Sequence, residues 1–135
     1  MCQNPNAEEH YKLGTEYAKQ NRDEEAIREF EAALRIEPGC AEAHHSLGWA
    51  CTRQQRMEEA VRQFTTSLQI NPKLDEAHKG LGWSYSSLGR PKEAIREFEE
   101  VLRLNPDDTE AHQGLGSVYV AQLRVGKQSA NSRLH

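Results

Sequence analysis

Four histidines, His10, His44, His78 and His112, recur every 34 residues, and imidazole is the commonest metal-binding side chain. Three cysteines (Cys2, Cys40, Cys51) and the adjacent carboxylates Glu24–Glu25, Glu58–Glu59 and Glu99–Glu100 are the other groups able to hold a cation or move a proton. Spacing argues against each use. Ligands of one ion must converge to about 2 Å from it, whereas equivalent residues on stacked helices lie about 8–10 Å apart. His44 and His45 are neighbours and point to different faces of a helix, and paired glutamates diverge for the same reason. The cysteines are odd in number and contain no C-x-x-C pair, so their spacing suggests neither a disulfide framework nor a zinc site. The chain has no G-x-S-x-G elbow, no H-E-x-x-H and no phosphate loop ending in G-K-[ST]. Its G-x-G strings, at Gly80–Gly82 and Gly114–Gly116, fall within helical patterns. No catalytic residue, metal or cofactor is expected, and the chain reads as a non-enzyme.

The elements that carry these residues repeat with the same period. Proline falls at 38, 72 and 106. Parallel blocks read AEEHYKLG (7–14), AEAHHSLG (41–48), DEAHKGLG (75–82) and TEAHQGLG (109–116). Each of the first three continues into a second half: EEAIREFEAALRIEP, EEAVRQFTTSLQINP and KEAIREFEEVLRLNP. Such a period means stacked copies of one small unit. Within a block the apolar residues recur at helical spacing in two runs. In the second block Ala43, Leu47, Ala50 and Cys51 form one stripe, and Ala60, Val61, Phe64, Leu68 and Ile70 another. The polar stretch between them reads as a turn; Gly89 holds that turn in the third block, with Asn21 and Gln55 in its place in the others.

Helices are therefore expected near 7–20, 24–37, 41–54, 58–71, 75–88, 92–105 and 109–124. Units span 7–40, 41–74 and 75–108 after a lead-in (1–6), followed by a half unit or capping helix (109–124) and a flexible tail (125–135). Gly14, Gly48, Gly82 and Gly116 lie inside the first helices, where glycine costs about 1 kcal/mol against alanine. Close approach of the paired helix explains them, facing the Ala26, Ala60 and Ala94 positions. Glu24–Arg28, Glu31–Arg35, Glu58–Arg62 and Glu99–Arg103 are spaced i, i+4 on solvated faces. Cys51 stands where Tyr17, Tyr85 and Tyr119 stand in the other blocks, and is expected in the core as a small hydrophobe that leaves its unit less filled.

Composition agrees with a repeat array. The 135 residues are 36% hydrophobic with a formal net charge of −4, and the charges are interleaved, so no basic field draws nucleic acid. No apolar run suits a membrane span, and the N-terminus has no basic-then-apolar leader. A cytoplasmic, reducing setting is the default expectation.

About eight positions per unit agree in type and spacing with the tetratricopeptide repeat family, which the chain resembles over residues 7–121. The resemblance implies an all-α, right-handed superhelical solenoid of antiparallel helix pairs, whose first helices line a concave groove. It also implies a non-catalytic module that holds a peptide or protein segment there. The implied groove residues are Tyr11, Lys12, Thr15, Lys19, His45, Trp49, Arg53, Lys79, Trp83 and Ser86. Trp49 and Trp83, equivalent in adjacent units, would form an apolar platform of hot-spot type, or else fold down and widen the core. His45, Arg53 and Lys79 would give the indoles cationic neighbours.

The family's clamp for acidic chaperone C-terminal tails uses Lys, Asn, Asn, Lys and Arg, where this chain has Tyr11, Thr15, Ser46, Glu76 and Gly80. Such tails are therefore not expected as partners. The alternative to segment binding is self-assembly through the terminal helix, where Val118, Tyr119, Leu123 and Val125 face the side a partner helix would cover.

Overall fold

The computed structural model describes residues 2–134, with side chains to residue 126. Seven helices follow one another: α1 (Pro5–Lys19), α2 (Asp23–Ile36), α3 (Ala41–Arg53), α4 (Met57–Ile70), α5 (Asp75–Ser87), α6 (Pro91–Leu104) and α7 (Thr109–Leu134). Among the described residues there is no strand, and no helix long and apolar enough to cross a membrane. The helix starts and stops follow the 34-residue pattern, except that α1 begins two residues early, at Pro5, and α7 continues to Leu134 where the sequence reading places a tail.

Consecutive helices pack on one another throughout. The first helices also touch their counterparts, α1 with α3, α3 with α5 and α5 with α7, whereas second helices do not meet. Elements that approach on one side and spread on the other form a curved stack. The first helices therefore line its inner side, and the array is an all-α helical-repeat solenoid.

One layer of the core recurs in each unit. Phe30, Phe64 and Phe98, from the second helices, are fully buried. A Cβ added to Gly14, Gly48 or Gly82 would come within 2.7, 2.7 and 2.6 Å of these rings. Gly80 and Gly114, in the following units, press on Phe64 and Phe98 from the other side. The glycines thus make room for phenylalanine rather than for Ala26, Ala60 and Ala94, which are themselves fully buried. Gly116 meets nothing within 4 Å; among the described residues α7 packs only on α6 and α5.

The turn inside each pair closes on a left-handed residue: Asn21 (φ 61), Gln55 (φ 62) and Gly89 (φ 73). That conformation frees the next amide to bond back into the helix, as Arg56 N does to the Cys51 carbonyl at 2.9 Å. On the outer face the ion pairs form at i, i+3 instead of i, i+4. Arg22 pairs with Glu25, Arg62 with Glu59 and Arg103 with Glu100.

The histidine ladder is polar bracing. His44, His78 and His112 each place Nε2 at 2.9, 3.3 and 3.0 Å from the carbonyls of Pro38, Pro72 and Pro106. On their other edge, Nδ1 of His10, His44 and His78 reaches Glu29, Gln63 and Glu97 at 3.2, 2.8 and 3.0 Å. Each ring of the middle two units thus ties the loop entering the unit to that unit's second helix.

The largest departure lies at the N-terminus, where Cys2 and Cys40 form a disulfide. Spacing could not show it, because the pairing depends on the lead-in folding back over the loop between α2 and α3. Glu37 holds the lead-in there, its carboxylate accepting from Gln3 N at 3.0 Å and Asn4 N at 2.6 Å. Cys51 is the remaining, free cysteine; it is buried, and burial raises its thiol to about 11, which suits a small core hydrophobe.

Candidate functional site

The inner side presents α1, α3, α5 and α7, and the two indoles stand on it in register. Trp49 and Trp83 are both half-buried. Each ring meets the core phenylalanine of its own unit edge-on, Trp49 on Phe64 and Trp83 on Phe98, with centroids 5.2 Å apart in both cases. Each indole therefore has one edge anchored in the core and part of its surface exposed. The rings thus pack on the core and keep part of their surface exposed.

The expected cations do not surround the indoles as free charges. Lys79 is buried, its ammonium 2.8 Å from Asp108 and 2.9 Å from Glu76. Burial alone would lower its pKa, but the bonds to Asp108 and Glu76 reverse this and hold it above the ordinary lysine value. Arg53 Nε lies 3.0 Å from Asp23 of the preceding unit. His45 accepts the Trp49 indole N–H at 2.9 Å, and burial pulls its pKa below 6.5, so it serves as a neutral acceptor. These three side chains fix the wall of the groove. Sequence spacing did not show these partners: Asp108 and Asp23 come from other units, and the indole bonded to His45 lies one turn along the same helix.

At the N-terminal end, Tyr11 is half-buried with its ring 5.9 Å from Phe30, and Thr15 Oγ1 donates to the Tyr11 carbonyl at 3.0 Å. Lys12 and Lys19 are exposed, the latter 3.7 Å from Glu16. They are the groove lysines that remain turned to solvent.

The inner side deepens between α5 and α7. Trp83, Gln113, Gly116, Ser117, Val120, Ala121 and Arg124 enclose an open cleft of about 810 Å3. Of these, only Trp83 is among the residues the sequence reading assigns. Gln113, Ser117 and Val120 sit at groove register in the repeat pattern, Val120 being the equivalent of Ser86, whereas Arg124 lines the cleft because α7 runs past the point where α3 and α5 end. Ser86 opens onto a different cleft, with Gly89, Pro91, Ala121 and Val125.

Of the terminal-helix residues, Val118 is only 2% exposed and already belongs to the core of the third unit. It is not available as an interface residue. Tyr119, Leu123 and Val125 are exposed.

A stack of antiparallel helix pairs whose first helices share one inner wall defines a helical-repeat solenoid. The chain belongs to the tetratricopeptide repeat family: two family models, each described as tetratricopeptide repeat, match residues 11–75 and 75–108. No curated protein matches the sequence. Solved structures of similar fold include the first tetratricopeptide repeat domain of Spaghetti (RPAP3) bound to the HSP90 peptide SRMEEVD. It is 23% identical, with a TM-score of 0.85 over 87% of this chain and 94% of that one. The second such domain of human RPAP3, in complex with the HSP70 peptide SGPTIEEVD, is 24% identical, with a TM-score of 0.81 over 84% of this chain and 95% of that one. MamA is 26% identical, with a TM-score of 0.83 over 88% of this chain and 70% of that one. The two peptide complexes correct one expectation. Two RPAP3 domains of this architecture hold HSP90 and HSP70 peptides that end in EEVD, so the departures at Tyr11, Thr15, Ser46, Glu76 and Gly80 do not remove acidic chaperone tails from consideration.

Proposed function

We propose that the inner side of the solenoid holds a segment of a partner protein, with the cleft beside Trp83 as its anchor. The observation that carries this reading is the setting of Trp83. Its ring is held edge-on by Phe98 and still walls an open cleft with Val120 and Ala121 at hand and Arg124 on the rim. An aromatic side chain already fixed by packing loses little freedom when a ligand covers it. The apolar wall suits an aliphatic or aromatic side chain, and the guanidinium suits a carboxylate. Acidic C-terminal peptides of the kind bound by the RPAP3 domains are therefore the first ligands to assay.

The test is calorimetric titration with SRMEEVD and SGPTIEEVD, alongside segments recovered from a displayed peptide library. Trp83→Ala should weaken the best binder by more than about 2 kcal/mol, the hot-spot scale, with helix content retained. Binding that is indifferent to Trp83, Trp49 and Arg124 would sink the reading.

A second reading rests on the exposure of Tyr119 (48%), Leu123 (68%) and Val125 (62%) on α7. These residues would serve as a self-association face. A concentration series by sedimentation velocity separates the two functions, since self-assembly requires a concentration-dependent mass that Tyr119→Glu abolishes.

A further inference from the structure

Cys2, Cys40 and Glu37 form a group in which one ligand atom from each lies within 4.8 Å of the others. We propose that, with the disulfide reduced, these residues form a binding site for a thiophilic divalent cation of the zinc class, which replaces the sulfur bridge as the clamp on the first unit.

Three observations carry the proposal. The first is that the two thiols would stay together without their covalent bond. The lead-in is tied down by groups other than sulfur: Glu37 accepts from Gln3 N and Asn4 N, and Glu8 accepts from Cys2 N at 2.9 Å. Asn4 in turn caps α1 through bonds from Asn6 N and Ala7 N at 2.9 and 3.3 Å. The Cα atoms of the two cysteines, 5.1 Å apart, then leave room for both thiolates at about 2.3 Å from one ion.

The second observation is a carboxylate already oriented from behind. Each Glu37 oxygen accepts one backbone N–H and retains lone-pair capacity for a cation, which is how ligating carboxylates are commonly fixed by an outer shell. Two thiolates with a carboxylate oxygen make a donor set that zinc accepts and magnesium or calcium do not favour.

The third observation is the surroundings. Ala7, Ala33 and Ala43, all fully buried, pack around the cysteines. On the open side, a cleft lined by Gln3, Asn4, Glu37, Cys40 and Glu42 gives a path from solvent. A dry back and a polar mouth suit a coordinated cation.

The chemistry balances. A dithiol reductant exchanges with the Cys2–Cys40 bond, ends as its own disulfide and leaves two protein thiols. The cation then binds as each thiol gives up its proton. Oxidation and cation loading are mutually exclusive, since one pair of sulfurs serves both.

The test uses the full chain, reduced with a phosphine and stripped by a chelator, then titrated with Zn2+ against a chromophoric competitor and separately with Co2+. The reduced protein should take up one equivalent, with thiolate-to-cobalt charge-transfer absorption, and Cys51→Ser should behave identically. The disulfide form should bind nothing. Cys2→Ser and Cys40→Ser should each lose at least ~100-fold in affinity, and Glu37→Gln ~10-fold or more. The cobalt spectrum of the unsubstituted chain needs no variant to fold. A reduced chain without charge-transfer absorption, or one whose single equivalent survives Cys2→Ser, overturns the proposal.

Discussion

Lys79 Nζ lies 2.8 Å from Asp108 Oδ2, joining α5 to the loop that begins α7, with both side chains less than a tenth exposed. The other Asp108 oxygen accepts the Ala111 N–H at 2.9 Å, so one carboxylate caps α7 and neutralises a buried ammonium. Equivalent positions of the preceding unit hold His45 and Leu74, which means this junction is built differently from the one before it.

Lys79→Met should therefore cost on the order of 3 kcal/mol, because it strands a nearly buried carboxylate. Lys79→Met with Asp108→Leu should recover part of the loss, leaving mainly the missing cap, about 1 kcal/mol. The pair also sets a pH window. Asp108 is held below its ordinary 3.8 by its bond from Lys79, so its contribution is present above that value and is lost as pH falls through its folded pKa. Lys79 is raised, so its contribution is complete below 10.5 and is lost as pH climbs through its folded pKa. Urea denaturation across pH should show both losses in the wild type and neither in the double variant.

Two histidines should pull stability in opposite directions near neutrality. His78 is raised above 6.5, chiefly by its bond to Glu97. Its contribution is fully present below 6.5 and is lost as pH rises through its folded pKa. His45 is lowered by burial, so acidification below 6.5 favours the unfolded chain, which takes up that proton more readily. NMR titration should give His78 the higher pKa of the two, and Glu97→Gln should lower it while leaving His45 unchanged.

Cys51→Tyr should stabilise the chain by about 1 kcal/mol. Cys51 lines an open cleft of about 630 Å3 with Ile27, Leu47, Met57 and Leu88, and tyrosine occupies the equivalent site in the other units. Tyr17 lies beneath the Arg22 guanidinium at 4.7 Å; Arg56 is placed to cover a new ring in the same way. Thermal unfolding checks this: a fall in Tm means the cleft cannot admit the phenol.

Gln55→Gly should raise stability by about 1 kcal/mol, the cost of holding an ordinary side chain in the left-handed region, where Gln55 has φ 62. Asn21→Gly, at φ 61, should gain only a few tenths, because asparagine tolerates that conformation. Equal effects at the two turns, measured by chemical denaturation, would show that backbone strain is not the cause.

The repeat period, the seven helices and the burial of most of their apolar stripes were legible in the sequence, although Ile70, at the end of its stripe, is exposed, as are its equivalents Ile36 and Leu104. Each is written at separations of three, four or 34 residues, and every unit restates it. The placement of Trp49 and Trp83 on one wall followed from the same register. What tertiary structure decided lies between units and at the ends. Lys79 carries a charge, so pattern alone sends it to the groove surface; only the stack brings Asp108 over it and makes burial tolerable. Val118 looks uncovered in a unit that lacks its second helix, yet the preceding unit buries it. The glycines face phenylalanine one turn beyond the alanines, since how far two helices slide past each other is fixed by packing. Cys2 and Cys40 are 38 residues apart and meet because the lead-in, held by Glu37 and Glu8, folds back over the loop between α2 and α3. Local periodicity fixes what a helix is, and contacts made once, across units, fix what its side chains do.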